Sequence, residues 1–168
     1  MIETAGQAFA AFFATIGPLD IAAVFAALTA TQTAQQKRSM AIRGVLIATI
    51  ILVTFALVGD LLLSGLGISL AALRAAGGIL LLLIGIDMVF ARSSGSTSTT
   101  DEEQEEATQK SDISVFPLAT PLIAGPGAMG VAILLMTGQE GNIAGQAIII
   151  AALLAVLLLT LICLILAS

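Results

Sequence analysis

Histidine, tyrosine and tryptophan are absent from this chain of 168 residues, and cysteine occurs once, at Cys163. Without histidine there is no ordinary general base, no serine–histidine triad and no usual transition-metal site. A single cysteine excludes an internal disulfide and a thiolate metal cluster. The missing tyrosine and tryptophan remove the usual aromatic belt and leave seven phenylalanines as the only aromatic bulk. Charge is scarce as well: 10% of residues are charged, against roughly 25% in soluble domains. There is no basic patch for nucleic acid, no ATP-binding motif, and no cofactor or metal is expected.

What remains is apolar. Hydrophobic residues make up 58% of the chain, and the mean hydropathy is +1.10. The chain therefore reads as an all-α integral membrane protein, with the lipid bilayer as its main partner. Met1-Ile2-Glu3 lacks the positive region of a secretory signal, and the run behind it is longer than a signal core, so that run is expected to stay as a span. A helix needs about 20 apolar residues to cross about 30 Å of hydrocarbon. Five stretches meet this: 5–29, 42–64, 70–90, 116–137 and 143–167. Between the third and fourth, the composition changes to Ser/Thr/Gly and then to five acids within 101–106. Such a segment cannot bury enough apolar surface to fold. Residues 92–112 thus divide a first repeat, 5–91, from a second, 113–168, as a disordered acidic loop. Lys37, Arg38, Arg43, Arg92 and Lys110 flank the first and third loops, and Arg74 alone lies near the others. The positive-inside rule then puts the N-terminus outside and the acidic loop in the cytoplasm.

The oddest residues sit inside the spans. Gly17-Pro18 interrupts the first and Gly125-Pro126-Gly127 the fourth, 108 positions apart. Proline removes a backbone N–H and clashes with the carbonyl one turn earlier. In lipid, groups freed in this way must be satisfied by protein or trapped water. Paired interruptions at matching points of two halves mark the substrate site of a transporter. Three spans precede the second break, so the repeats run in opposite senses, an inverted 3+3 arrangement with its sixth helix missing from the chain as given. Ordinary proline kinks are the alternative reading of each break taken alone. Asp20, close to mid-membrane, is the most conspicuous of the ionisable residues near the spans, with Arg43, Asp60, Arg74 and Asp87 nearer to span ends. Asp60 and Arg74 fall toward the same side and could pair. The glycine pairs Gly77-Gly78 and Gly141 with Gly145, and Ala124 with Ala128, are expected to let helices approach closely.

At these residues the sequence resembles the MarC family of bacterial inner-membrane proteins. The likeness covers nearly the whole chain. It is strongest at Phe12-Phe13-Ala14-Thr15-Ile16-Gly17-Pro18, at Gly67-Ile68-Ser69-Leu70 with Arg74-Ala75-Ala76-Gly77-Gly78, and at Pro117-Leu118-Ala119-Thr120-Pro121-Leu122-Ile123-Ala124-Gly125-Pro126-Gly127-Ala128. The resemblance implies about six spans, a grouping with LysE-type exporters and, for some relatives, transport of small neutral amino acids. Many members carry Asp-Pro-Leu-Gly in the first span, where this chain has Gly17-Pro18-Leu19-Asp20, with the acid moved by three residues. The leading expectation is a secondary transporter, not an enzyme, in the bacterial inner membrane. A small solute would be held by Thr15, Gly17, Pro18, Asp20, Gly125, Pro126 and Gly127. The half-helix starts would hold an anionic group, and Asp20 an amine or a coupling ion, H+ or Na+. A homo-oligomer is left open. A non-transporting membrane scaffold is the rival, and an intramembrane enzyme pairing Asp20 with Asp60 or Asp87 a more distant one. Replacing Gly125, Pro126 and Gly127 by alanine is expected to restore a continuous helix and to hold or raise stability.

Overall fold

A computed structural model describes residues 2–90 and 112–167. Its elements are α1 (Ile2–Ile16), α2 (Pro18–Leu28), α3 (Ala34–Gly65), α4 (Leu70–Val89), a π-type segment (Ser114–Ile123), α5 (Pro126–Thr137) and α6 (Ile143–Leu166). The described residues are helices joined by short turns, without strands. The acidic stretch 92–111 and the side chains of Arg74 and Asp87, and with them the pairing of Arg74 with Asp60, lie outside what is described. Three spans are long and apolar enough to cross a membrane without a sharp bend: Ile2–Leu28, Ala34–Gly65 and Ile143–Leu166. Ser114–Ile123 with Pro126–Thr137 forms a further span bent by 54°.

Two boundaries differ from the sequence reading. The polar residues 34–40 are helical and extend α3 toward its N-terminus. Thr33 supplies the reason. Its hydroxyl oxygen accepts the backbone N–H of Gln36 while its own backbone N–H donates to Gln36 Oε1 at 3.0 Å, a reciprocal capping box. The first half of the fourth span is no α-helix. The residue before a proline is pushed out of the helical region, and Phe116 and Thr120, which precede Pro117 and Pro121, are both extended. The peptide bonds that join these pairs are cis. The surviving hydrogen bonds span five residues, Leu118 N–H to Ile113 O at 3.1 Å and Ala124 N–H to Ala119 O at 2.9 Å.

Packing follows the rule for lipid, where small residues rather than bulky ones bring helices together. Ala41, Gly44, Ala48, Ala56 and Gly59 of α3 are buried, while Leu46, Ile50, Leu57 and Leu61 on its other side are exposed. α3 packs along the π segment, α5 and α6. An added Cβ on Gly44 would lie 2.5 Å from Leu118 Cδ2, and one on Gly59 would lie 2.6 Å from Ile133 Cγ1. α3 thus carries two notches about 22 Å apart along its axis. One receives the π segment, the other α5. Neither glycine stands out in the sequence, because both are isolated in an apolar run. At Gly77 the fit is looser: a Cβ added there would lie 3.9 Å from Leu134 Cδ2, an ordinary contact. The core is completed by Phe12, Phe25, Leu52, Leu118, Leu153 and Leu157, all fully or almost fully buried.

Candidate functional site

At the first break the chain turns on one residue. Gly17 adopts φ 63, ψ 63, the left-handed region open to glycine at little cost. Its N–H still reaches Phe13 O at 3.0 Å, and its carbonyl accepts Ile21 N–H at 3.0 Å. Pro18 opens α2 in the position where a missing N–H matters least. Asp20, in the first turn of α2, is exposed, and Pro18 is buried. A Cβ on Gly17 would come within 3.1 Å of Asp20 Oδ2, so the carboxylate folds back over the break. Negative charge is favoured at a helix N-terminus. Thr15 is buried just before the break, and its hydroxyl donates to Ala11 O at 2.8 Å.

At the second break Gly125 is extended, at φ −79, ψ 167, and Pro126 opens α5. Pro126 is exposed and Gly127 half-buried. The Gly125 carbonyl accepts Met129 N–H at 3.0 Å. A Cβ on Gly125 would sit 2.7 Å from the carbonyl oxygen of Pro121. This corrects the expected effect of the triple alanine change. Gly125 is held small by backbone, so alanine there presses against the Pro121 carbonyl four residues upstream.

The helices around the two breaks share a contact pattern. α1 packs on α5 and α2 packs on the π segment, and α6 packs on both α1 and α2 as α3 packs on both the π segment and α5. Adding 108 carries Pro18–Leu28 onto residues 126–136, within one residue of α5. Thr15, Gly17, Pro18 and Asp20 fall on one break and Gly125, Pro126 and Gly127 on the other. No hydrogen bond among the described residues joins the two groups. Each begins a helix whose first N–H groups have no partner within the helix. Among the described residues no three His, Cys, Asp or Glu side chains gather as a metal site would need.

Away from the breaks, Arg43 of α3 meets Asp112 at 3.4 Å, with 64% and 47% of the side chains exposed. The Ser114 hydroxyl and N–H, the latter at 2.9 Å, hold the Asp112 carboxyl below its ordinary value, and Arg43 adds to this.

The chain matches the family model described as "MarC family integral membrane protein" over residues 2–168. It is 37% identical over 147 residues to a UPF0056 membrane protein of Methanocaldococcus jannaschii, covering 88% of this chain and 70% of that one. A UPF0056 membrane protein of Bacillus subtilis is 34% identical over 133 residues, with coverage of 79% and 63%. One of Escherichia coli K12 is 36% identical over 121 residues, with coverage of 72% and 56%. The chain therefore spans between 56% and 70% of the length of these relatives. No solved structure matches it.

Proposed function

From the premise that the chain belongs to the MarC family of integral membrane proteins, we propose that it is a secondary transporter of small neutral amino acids or similar small solutes. The observation that carries this reading is the pair of interrupted spans, each with glycine before a proline that opens a half-helix. The free N–H groups at the starts of α2 and α5 offer an anionic group two positive helix ends. Asp20, bent over the first break, is the acceptor for an amine or the carrier of a coupling H+ or Na+. A carboxylate within a span is tolerated where it faces water or a partner rather than lipid, and a substrate path supplies that water. The transport cycle would then rock the two halves around this level. In a bacterial inner membrane, with the N-terminus outside, α3 would begin on the cytoplasmic side.

Flux of labelled alanine, serine and glycine into proteoliposomes tests the reading. Uptake that depends on an imposed proton or sodium gradient, and that falls at least tenfold in Asp20→Asn, is the expected result. Empty-vesicle rates for all three solutes would overturn it.

A further inference from the structure

The end of α3 outside the apolar run carries a pocket remote in character from the breaks. Its volume is about 120 Å³, and Gln36, Ser39, Met40, Arg43 and Asp112 line it. Its depth follows from the helix. The 32 residues of α3 extend about 48 Å, against a hydrocarbon core of about 30 Å. The uncharged run begins after Arg43, so residues 34–43 stand in the headgroup layer.

Two charges of opposite sign face this pocket, and neither is saturated by the described residues. Arg43 uses Nη1 on Asp112 Oδ2 in a single long contact of 3.4 Å, not the paired fork that guanidinium and carboxylate can form. Asp112 Oδ1 accepts Ser114 N–H at 2.9 Å, and the Ser114 hydroxyl with this N–H holds the carboxyl below its ordinary value, which leaves further acceptor positions on its two oxygens. Gln36 Oε1 is engaged by Thr33 at 2.8 Å, which leaves its amide N–H groups to donate elsewhere. The Ser39 hydroxyl makes no hydrogen bond among the described residues. The floor is Met40, 4% exposed. Donors for an anion therefore lie beside one carboxylate for a cation. A simple anion would meet Asp112 and a simple cation would meet Arg43. A compact zwitterion satisfies both.

We infer that this pocket binds an ethanolamine-phosphate group, its phosphate on Arg43, Ser39 and Gln36 and its ammonium on Asp112. Phosphatidylethanolamine and free phosphoethanolamine share this chemistry, and the depth of the pocket favours the lipid. The site is independent of the two breaks.

Lipid retention by the purified full chain, read by native mass spectrometry from mixed micelles with equimolar phosphatidylethanolamine, phosphatidylcholine and phosphatidylglycerol, tests this. Phosphatidylcholine keeps the charges but has no ammonium N–H, and phosphatidylglycerol lacks the cation. The ethanolamine lipid should be retained about five-fold over both, the scale of a charge-assisted contact at an exposed site. Arg43→Gln and Asp112→Asn should each erase that preference, and Ser39→Leu, which fills the pocket without touching a charge, should do the same. Equal retention of all three lipids, or an unchanged preference in these variants, overturns the inference. A preference for phosphatidylglycerol removed by Arg43→Gln alone also overturns it, since it would be attraction to a cationic helix end. Displacement of the lipid by millimolar phosphoethanolamine would uphold the group recognised and make the soluble compound its occupant.

Discussion

The two breaks share a dipeptide and differ in nearly everything around it. In the first, α1 and α2 continue almost as one span, with a single left-handed glycine at the joint. In the second, half of the span is a π-type coil and the other half leaves it at 54°. The cause lies upstream. Pro117 and Pro121 precede the second Gly-Pro, and no proline precedes the first. Each added proline removes a donor and forces its predecessor out of the helical region. A Gly-Pro alone therefore gives a joint, whereas Gly-Pro behind two further prolines replaces half a helix. The second break is also the more firmly held, since Leu118 and Ile133 on its two sides fill the notches at Gly44 and Gly59.

That contrast predicts an asymmetry in alanine substitutions, read as unfolding free energy in detergent. Gly125→Ala should have the largest effect, about 3 kcal/mol of destabilisation, at the upper end for overpacking because the obstacle is the Pro121 carbonyl and not a side chain. A neutral or stabilising result would mean that the second break is a simple kink like the first. Gly59→Ala should follow at about 2 kcal/mol, because branched Ile133 is stiff and its Cβ lies 3.1 Å away. Gly44→Ala should cost about as much, about 2 kcal/mol, since the added Cβ would lie 2.9 Å from Cγ of the fully buried Leu118 and 3.2 Å from the Ser114 carbonyl oxygen. Ile133→Ala in the Gly59→Ala background should recover part of the loss; a purely additive double variant would contradict the notch. Gly17→Ala should cost about 1 to 2 kcal/mol, the ordinary penalty of a left-handed residue with a Cβ.

Much of this architecture is legible in the sequence. The apolar runs identify the helices, and the first, second, fourth and fifth runs coincide with the three uninterrupted spans and the bent one, while Gly-Pro at positions 17 and 125 locates both joints. The character of the joints is not legible, because it depends on how Pro117 and Pro121 act together and on what fills the space around them. Residues 34–40 read as a loop from their polarity, yet one capping box at Thr33 and Gln36 is enough to make them helix. Gly44 and Gly59 are invisible in the sequence because a notch is defined by the side chain that enters it, and Leu118 and Ile133 are distant along the chain. For the candidate site, Thr15, Asp20 and the glycines are identifiable by type and position. That the Thr15 hydroxyl is turned onto Ala11 and that the Asp20 carboxylate folds over Gly17 are matters of local backbone geometry.

The smallest expected effect lies beside the start of α3, away from both breaks. Asp112 has its pKa lowered in the folded chain by Ser114 and then by Arg43. The stability it adds is present above the ordinary aspartate value of 3.8 and is lost as pH falls through the lowered folded value. With 47% of the side chain exposed, that contribution should stay below about 0.5 kcal/mol. Unfolding of the native chain should therefore steepen slightly more on acidification than that of Asp112→Asn; an identical pH profile would show that the bonds of Asp112 to Ser114 and Arg43 together carry no energy.

The central claim is that the two unlike breaks serve one solute. A double-mutant cycle on substrate affinity, between Asp20→Asn at the first break and Gly127→Ala at the second, tests it most directly. Two residues acting on one bound molecule should couple by about 1 kcal/mol or more, so that the double variant departs clearly from the sum of the single ones. Additive effects within about 0.3 kcal/mol would contradict the claim and separate the two breaks into independent features.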